Sequence, residues 1–393
     1  MLFYKYQRAN VLSLMMLKRG EIFFASSDEL NDAQECRPRY LFKGSKDIWS
    51  RFCHYLLVNT YCECGIYDSS EGSKLIDLHL SLSDFIFSKI KNKHASVIEV
   101  KDLVISSLID LMNDGFEKRE KQLIINYLVH FFDTLLIPIM HEPKYLTSFS
   151  KSAINPTMWG HYADAEKGFV IVYETDDNLL EVNSTFSNLD GHRKKDGFIE
   201  IGRYKTENIR LETVEYSRQP VKVNAFHKLI SKFFYSEMED HYDVPLLLPG
   251  DAKYMEEHKI GLVKFSDWRY EKEIRAFFPT IDPVPAELRT LNVSNKHIKG
   301  VIFGAKTSQR DKEKIIMSCY HLQEYCIGND TFELLFFQAI ENVDKFDLKI
   351  MPFGMLNKSL YHLSELPISR FNALDKKNQD KLIEITECLN KSS

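Results

Sequence analysis

The sequence predicts an α+β protein: a mixed β-sheet core built from segments at both ends of the chain, with a large helical insertion and a helical C-terminal tail. Three observations predict it. The chain opens with a compact β-α-β pattern, "LFYKY", "NVLSLMMLKRG" and "EIFFAS". Between about residues 47 and 140 the apolar residues recur at mixed three- and four-residue spacing, as they do on helices. Beyond that, strand-like runs such as "FVIVYE" and "VIFGAK" alternate with short helical stretches. The boundaries that follow are 1–46 for the first part of the core, 47–140 for the insertion, 141–350 for the remainder of the core and 351–393 for the tail.

Each element has a local reason. Asn10 is placed to cap the first helix and Gly20 to end it, with Leu12, Met15 and Met16 as its apolar stripe. "SSDELNDAQE" is a polar loop or helical turn. Asn155, followed by Pro156, is a second N-cap, and that helix should carry Met158, Trp159 and Tyr162 and stop near Gly168. "FVIVYE" is a strand by its β-branched and aromatic content. The run "GHRKKDG" is a basic loop whose default reading is a solvated surface, with polyanion contact as the alternative. After a helical stretch at "AFHKLISKFFYSEMED" come "IKGVIFGAK" as a strand and a helix capped by Thr307 or Ser308. A strand pair is expected around "NVDK", and a tail helix with Leu382, Ile385 and Leu389 on one face.

Composition narrows the function classes. A formal net charge of −5 gives no global basic field for coating nucleic acid. Seven scattered cysteines, an odd number, fit thiols in a reducing compartment better than a disulfide framework. Cys62 and Cys64 stand one residue apart with no second pair at zinc spacing, so no metal is predicted. Lys5, Arg8 and Lys18 break the N-terminal apolar run, which argues against a signal peptide. The apolar segment "YLVHFFDTLLIPIM" is interrupted by His130 and Asp133 and is short for a bilayer. The expectation is a cytoplasmic protein with no membrane partner.

One stretch carries the functional question: "SDWRYEKEIRAFFP", Ser266 to Pro279. Read as a strand, it puts Glu271 and Glu273 on one face, about 6.6 Å apart along the chain, with Arg269 and Arg275 beside them. Trp268, Tyr270, Ile274 and Ala276 then face the core. One reading is a solvated ion-pair ladder that steadies a strand. The other is a pair of carboxylates aimed into a ligand cleft.

The chain resembles the prokaryotic domain-of-unknown-function family 2971. The resemblance is carried, in order, by "YKY", "EIFFASSDELNDAQE", "SFS", "MWGHYADAEKGFVIVYE", "WRYEKEIR" and "VIFGAK", spread from Tyr4 to Lys306. It does not cover the helical insertion or the tail. It departs from the family pattern at Ala33, where the family tends to have Pro, at Glu166, where it has His, and at Ile274, where it has an aromatic.

The order of elements is also similar to ADP-ribosyltransferase domains. That second resemblance implies a split sheet whose site combines the first strand, a serine-bearing strand start ("TSFS") and a Glu-x-Glu strand. It implies NAD as substrate, Glu273 as the principal catalytic carboxylate and Glu271 as its helper. A fixed carboxylate lowers the barrier to developing positive charge, and a general base activates the acceptor. The ligand contacts implied are Tyr4, Tyr6, Asn31, Asp32, Ser148, Ser150, Trp159, His161, Tyr162 and Arg275. The acceptor is left open among protein, nucleic acid and small molecule, and a toxin or phage-defence role suits such a protein.

Two other classes remain in view. His161 and Asp164, three apart on a helix, could join Glu271 or Glu273 around a metal in a nuclease or hydrolase; packing is the plainer reading of His161. Asn31 and Asp32 could equally form an Asx-type turn. A non-catalytic module that binds a protein partner through the helical insertion is the third possibility.

Overall fold

The computed structural model describes residues 1–32, 34–65, 70–90, 93–112, 116–184, 194–195, 198–199, 205–229, 257–280, 283–325, 333–357, 360 and 365–391. Most of the "GHRKKDG" loop, Ala33 and residues 230–240 of the expected helix after Ala225 lie outside the described residues. The chain divides into two compact units, one of Met1–Glu35, Pro143–Arg218 and Gly261–Ser393, the other of Cys36–Glu142 and Gln219–Ile260.

The first unit is built on a ten-stranded mixed sheet. Its middle is the strand Leu2–Gln7, antiparallel on one side to Phe169–Glu174 and on the other to Tyr145–Ser150. Tyr145–Ser150 in turn pairs with Glu273–Phe277, in the register Glu273 opposite Ser150 and Arg275 opposite Ser148. On the far side Ile298–Phe303 runs antiparallel to Phe169–Glu174 and parallel to Leu335–Glu341. The helix Gln309–Tyr325 lies between these two parallel strands in sequence, as a parallel connection requires. The hairpin Leu335–Glu341 and Leu348–Leu356 closes around Asn342–Asp347, as the sequence suggests. The C-terminal segment adds a strand, Ile368–Arg370, to that hairpin before its helix Lys376–Lys391.

Alternation sorts the first strand between two cores. Phe3 packs with Phe149, Tyr173 and Ile274 on one face, joined by Ile22, Leu180, Val182, Leu291 and Val293 of a separate four-stranded sheet. Tyr4 and Tyr6 pack on the other face with Trp159, Val172, Ile302 and Phe337, where Leu382 and Leu389 of the C-terminal helix seal the layer. Both faces of the central strands are therefore apolar, which is why "FVIVYE" is buried without alternating.

Two local expectations are corrected and one open choice is resolved. The first helix, Val11–Arg19, is capped by Asn10, which accepts from Ser13 N, and ends at Gly20 in the left-handed region. It buries Ser13 and Leu17, however, while Leu12 and Met15 stand in solvent. The helix after Asn155 stops at Tyr162, because Asp164, Ala165 and Glu166 all take positive φ. Ser308, and not Thr307, caps the helix Gln309–Tyr325 by accepting from Asp311 N; Thr307 donates to the Gly168 carbonyl.

The second unit begins at Cys36 and takes in the later segment Gln219–Ile260. Its strands Arg39–Phe42, Lys222–Asn224 and Ala95–Ser96 form a small sheet. Phe42, Trp49, Phe52 and Phe226 interlock as an aromatic cluster, with Phe226 edge-on to Trp49 at 4.8 Å. The helical run Lys118–Met140 includes a π-type turn at Phe131–Leu135. At 23 residues it is longer than the apolar segment read from sequence and is long and apolar enough to cross a membrane, a test that packed helices of soluble proteins also pass. A third of its most apolar window is buried here.

Candidate active site

The stretch that raised the functional question is not one strand. Ser266–Glu271 forms a 3₁₀ turn, Lys272 turns the chain with a φ of 45°, and the strand begins at Glu273. The two glutamates therefore reach the same place from different backbone geometries. Arg269 is exposed on the turn, whereas Arg275, one strand repeat beyond Glu273, points with it into the interior. Ile274 and Ala276 face the opposite core.

Glu271 and Glu273 are each 3% exposed and Arg275 is fully buried, so a solvated ladder is excluded. Arg275 donates from Nε to Glu273 Oε1 at 2.6 Å and from Nη2 to Glu273 Oε2 at 2.9 Å. Nη2 also reaches Glu35 Oε2 at 2.6 Å, and Nη1 the Gly261 carbonyl at 2.6 Å. Lys264 adds a second cation, 2.7 Å from Glu35 Oε1, 2.6 Å from Glu271 Oε2 and 3.3 Å from Glu273 Oε2. Tyr162 completes the cluster by donating to Glu271 Oε1 at 2.5 Å. Burying such charges is tolerable only because each is paired and hydrogen-bonded.

The two carboxyls are driven apart. Burial opposes the charge of Glu273, but Arg275 and Lys264 outweigh it and hold the carboxyl down at about 2. Burial dominates at Glu271 and raises its carboxyl above the usual range despite Lys264 and Tyr162. Burial pushes the Tyr162 hydroxyl up as well, reinforced by its bond to Glu271.

These groups open onto a cavity of about 680 Å³. Of the residues singled out from sequence, Tyr4, Tyr6, Asn31, Ser148, Ser150, Tyr162, Glu271 and Glu273 line it. The backbone explains several of them. Ser150 donates to the Glu271 carbonyl at 2.6 Å and fixes the 3₁₀ turn against its strand. The Tyr6 hydroxyl donates to the Ser152 carbonyl at 2.8 Å, so it supports the wall and does not reach into the space.

Four expected contacts fall elsewhere. Trp159 is fully buried in the core, its indole donating to the Ala153 carbonyl at 2.7 Å, so it cannot form a ligand wall. His161 is exposed and lies 3.0 Å from the Tyr270 hydroxyl, outside the cavity lining. Asp32 accepts from Gln34 N at 2.9 Å, the Asx-type turn that was the alternative for it. Arg275 is a partner of Glu35 and Glu273 behind the cavity surface. Because the helix ends at Tyr162, His161 and Asp164 do not form the helical pair that a metal reading needs. Among the described residues no group of three His, Cys, Asp or Glu side chains is placed to hold a metal ion.

Sequence reasoning missed Lys264, Glu35 and Lys5. Lys264 lies in "LVKFS" and Lys5 in "YKY", and nothing in the local spacing of either strand marks its lysine as part of a site. Glu35 closes the quoted "ELNDAQE" motif, but nothing in its spacing reveals that its partner lies 240 residues away.

Fold and site together define an α+β protein with a buried carboxylate–cation cluster at the edge of a cavity. Residues 158–276 match the model of the DUF2971 family, described as a protein of unknown function. The matched span contains Tyr162, Lys264, Glu271, Glu273 and Arg275, five of the side chains of the cluster. No curated protein matches the chain. No solved structure matches it either, and the comparisons carry no likeness to ADP-ribosyltransferases.

Proposed function

We propose that the chain is an ADP-ribosyltransferase-like enzyme that uses NAD as its substrate. The observation that carries this reading is the pair of carboxyls lining one cavity with their acidities pushed in opposite directions. Glycosidic bond cleavage needs that division of labour: one carboxyl permanently ionised, the other able to exchange a proton. Glu273 is the fixed anion. As the bond between the ribose carbon and nicotinamide breaks, nicotinamide leaves with the bonding electrons, and the carboxylate stabilises the positive charge that develops on the sugar. Glu271 takes the proton of the acceptor while the acceptor's oxygen or nitrogen bonds to that carbon. With water as acceptor the same steps give an NAD hydrolase. A prokaryotic, cytoplasmic effector of the toxin or phage-defence kind is the setting that fits this chemistry.

The metal-dependent alternative has no comparable support, because Lys264 and Arg275 already occupy the space between the carboxylates. The test is nicotinamide release from NAD by the purified protein beside a Glu273→Gln variant, both with cell lysate as a source of acceptor. Release that disappears in a folded variant supports the reading. No release, together with no thermal shift on adding NAD, overturns it and leaves a binding module as the reading to pursue.

A further inference from the structure

Lys5 lines the cavity and, among the described residues, has no ion-pair partner. Its Nζ donates to Thr147 Oγ1 at 2.6 Å and to the Ser148 carbonyl at 2.9 Å, both neutral acceptors on the neighbouring strand. The Phe149 ring lies 5.2 Å away. Among the described residues no carboxylate comes within 4.0 Å of it, whereas the other lysine of the lining, Lys264, has three.

The acidic residues around the cavity are accounted for. Glu35, Glu271 and Glu273 are held by Lys264 and Arg275, and Glu29 by Arg289. Glu287 is exposed to solvent, and Glu21 lies 3.9 Å from Arg19. Glu273 acts on Lys5 only at longer range, and burial outweighs its attraction, pulling the ammonium down to about 8. A half-buried ammonium in that condition gains most from an anion placed beside it, because the ligand would supply the charge that the fold withholds.

We propose that Lys5, with the Thr147 hydroxyl beside it, is an oxyanion-binding subsite of this cavity, and that the ligand carries a phosphoryl or carboxylate group there. This rests on the cavity being the ligand site but not on the chemistry assigned to Glu271 and Glu273. It makes the ligand a small molecule bearing an anionic group.

The experiment titrates the full-length chain with inorganic pyrophosphate and, separately, with succinate by calorimetry. Wild type should bind at least one of them, and which one identifies the source of the oxyanion. Lys5→Met should weaken that binding roughly tenfold or more, the scale of a charged hydrogen bond, and Lys5→Arg should retain it. Raising the pH from about 7 to about 9.5 should weaken binding to wild type relative to Lys5→Arg, since Lys5 loses its proton near 8 and the guanidinium does not. In the wild-type protein, bound anion should also slow acetylation of Lys5, read by mass spectrometry, which needs no variant to fold. Absence of binding by both anions, or equal affinity in Lys5→Met, overturns the proposal. Lys5-dependent anion binding with neither nicotinamide release nor a thermal shift on adding NAD would leave this inference standing and remove the transferase reading; nicotinamide release without Lys5-dependent anion binding would do the opposite.

Discussion

Arg275 Nη2 lies 2.6 Å from Glu35 Oε2, and the two residues are 240 positions apart in the chain. The same guanidinium fixes Glu273 and the Gly261 carbonyl. Glu35 is the last residue before the chain leaves the first unit, and Gly261 is the residue at which it returns. One buried side chain thus ties the proposed catalytic carboxylate to both of these points. Arg275→Met should therefore leave two buried carboxylates short of a partner and cost about 3–5 kcal/mol, read as a lower urea midpoint.

Glu271→Gln and Glu273→Gln should behave oppositely with pH. The folded-state carboxyl of Glu273 titrates at about 2, below its ordinary 4.5. Its contribution to stability is present above about 4.5 and is lost as the pH falls towards 2. Glu271 is raised, so its ionised form costs stability above its ordinary value, and that cost is relieved as the pH falls through the raised one. At neutral pH Glu273→Gln should lower the melting temperature clearly, and Glu271→Gln should lower it less or raise it. Melting curves of the three proteins between about pH 3 and 7 check this. Equal losses in both variants at neutral pH would contradict the division of roles.

His161 and Tyr162 are neighbours in sequence with different duties. His161→Ala removes an exposed contact to Tyr270 and should change the proposed NAD turnover less than about twofold, since the residue does not line the cavity. Tyr162→Phe removes the donor to Glu271 Oε1, which favours the charged carboxylate, so the Glu271 carboxyl should rise further. Turnover should fall, and the acid limb of its pH profile should move to higher pH.

Gly304 has a steric role that its sequence context conceals. A Cβ there would stand 2.1 Å from the Glu166 carbonyl oxygen and 3.0 Å from the Trp159 ring. The obstacle is backbone held at positive φ, so it has little room to yield. Gly304→Ala should cost about 3 kcal/mol, at the upper end for overpacking, and the denaturation midpoint should fall without a change in m.

Local physics made much of this fold legible. Asn10 and Gly20 bound a helix because a side-chain cap and a left-handed glycine satisfy its terminal groups, whatever surrounds them. "FVIVYE" is a strand because its branched and aromatic side chains suit no other element as well. The Glu-x-Glu spacing marked the two residues that the fold brings to the cavity, and "TSFS" marked the strand beside them.

What the sequence by itself determined was the α+β class and elements such as the capped helix after Asn10 and the strand "FVIVYE", and it singled out the two glutamates that line the cavity. Tertiary structure alone decided that "SDWRYE" coils before the strand starts, that Trp159 serves the core, and that Lys264 and Glu35 complete the charge cluster. The reason is range. Capping, alternation and turn chemistry act over a few residues and leave a trace in spacing. The partner of a buried charge is set by which distant strands come together, and Arg275 finds Glu35 only once the sheet has been assembled.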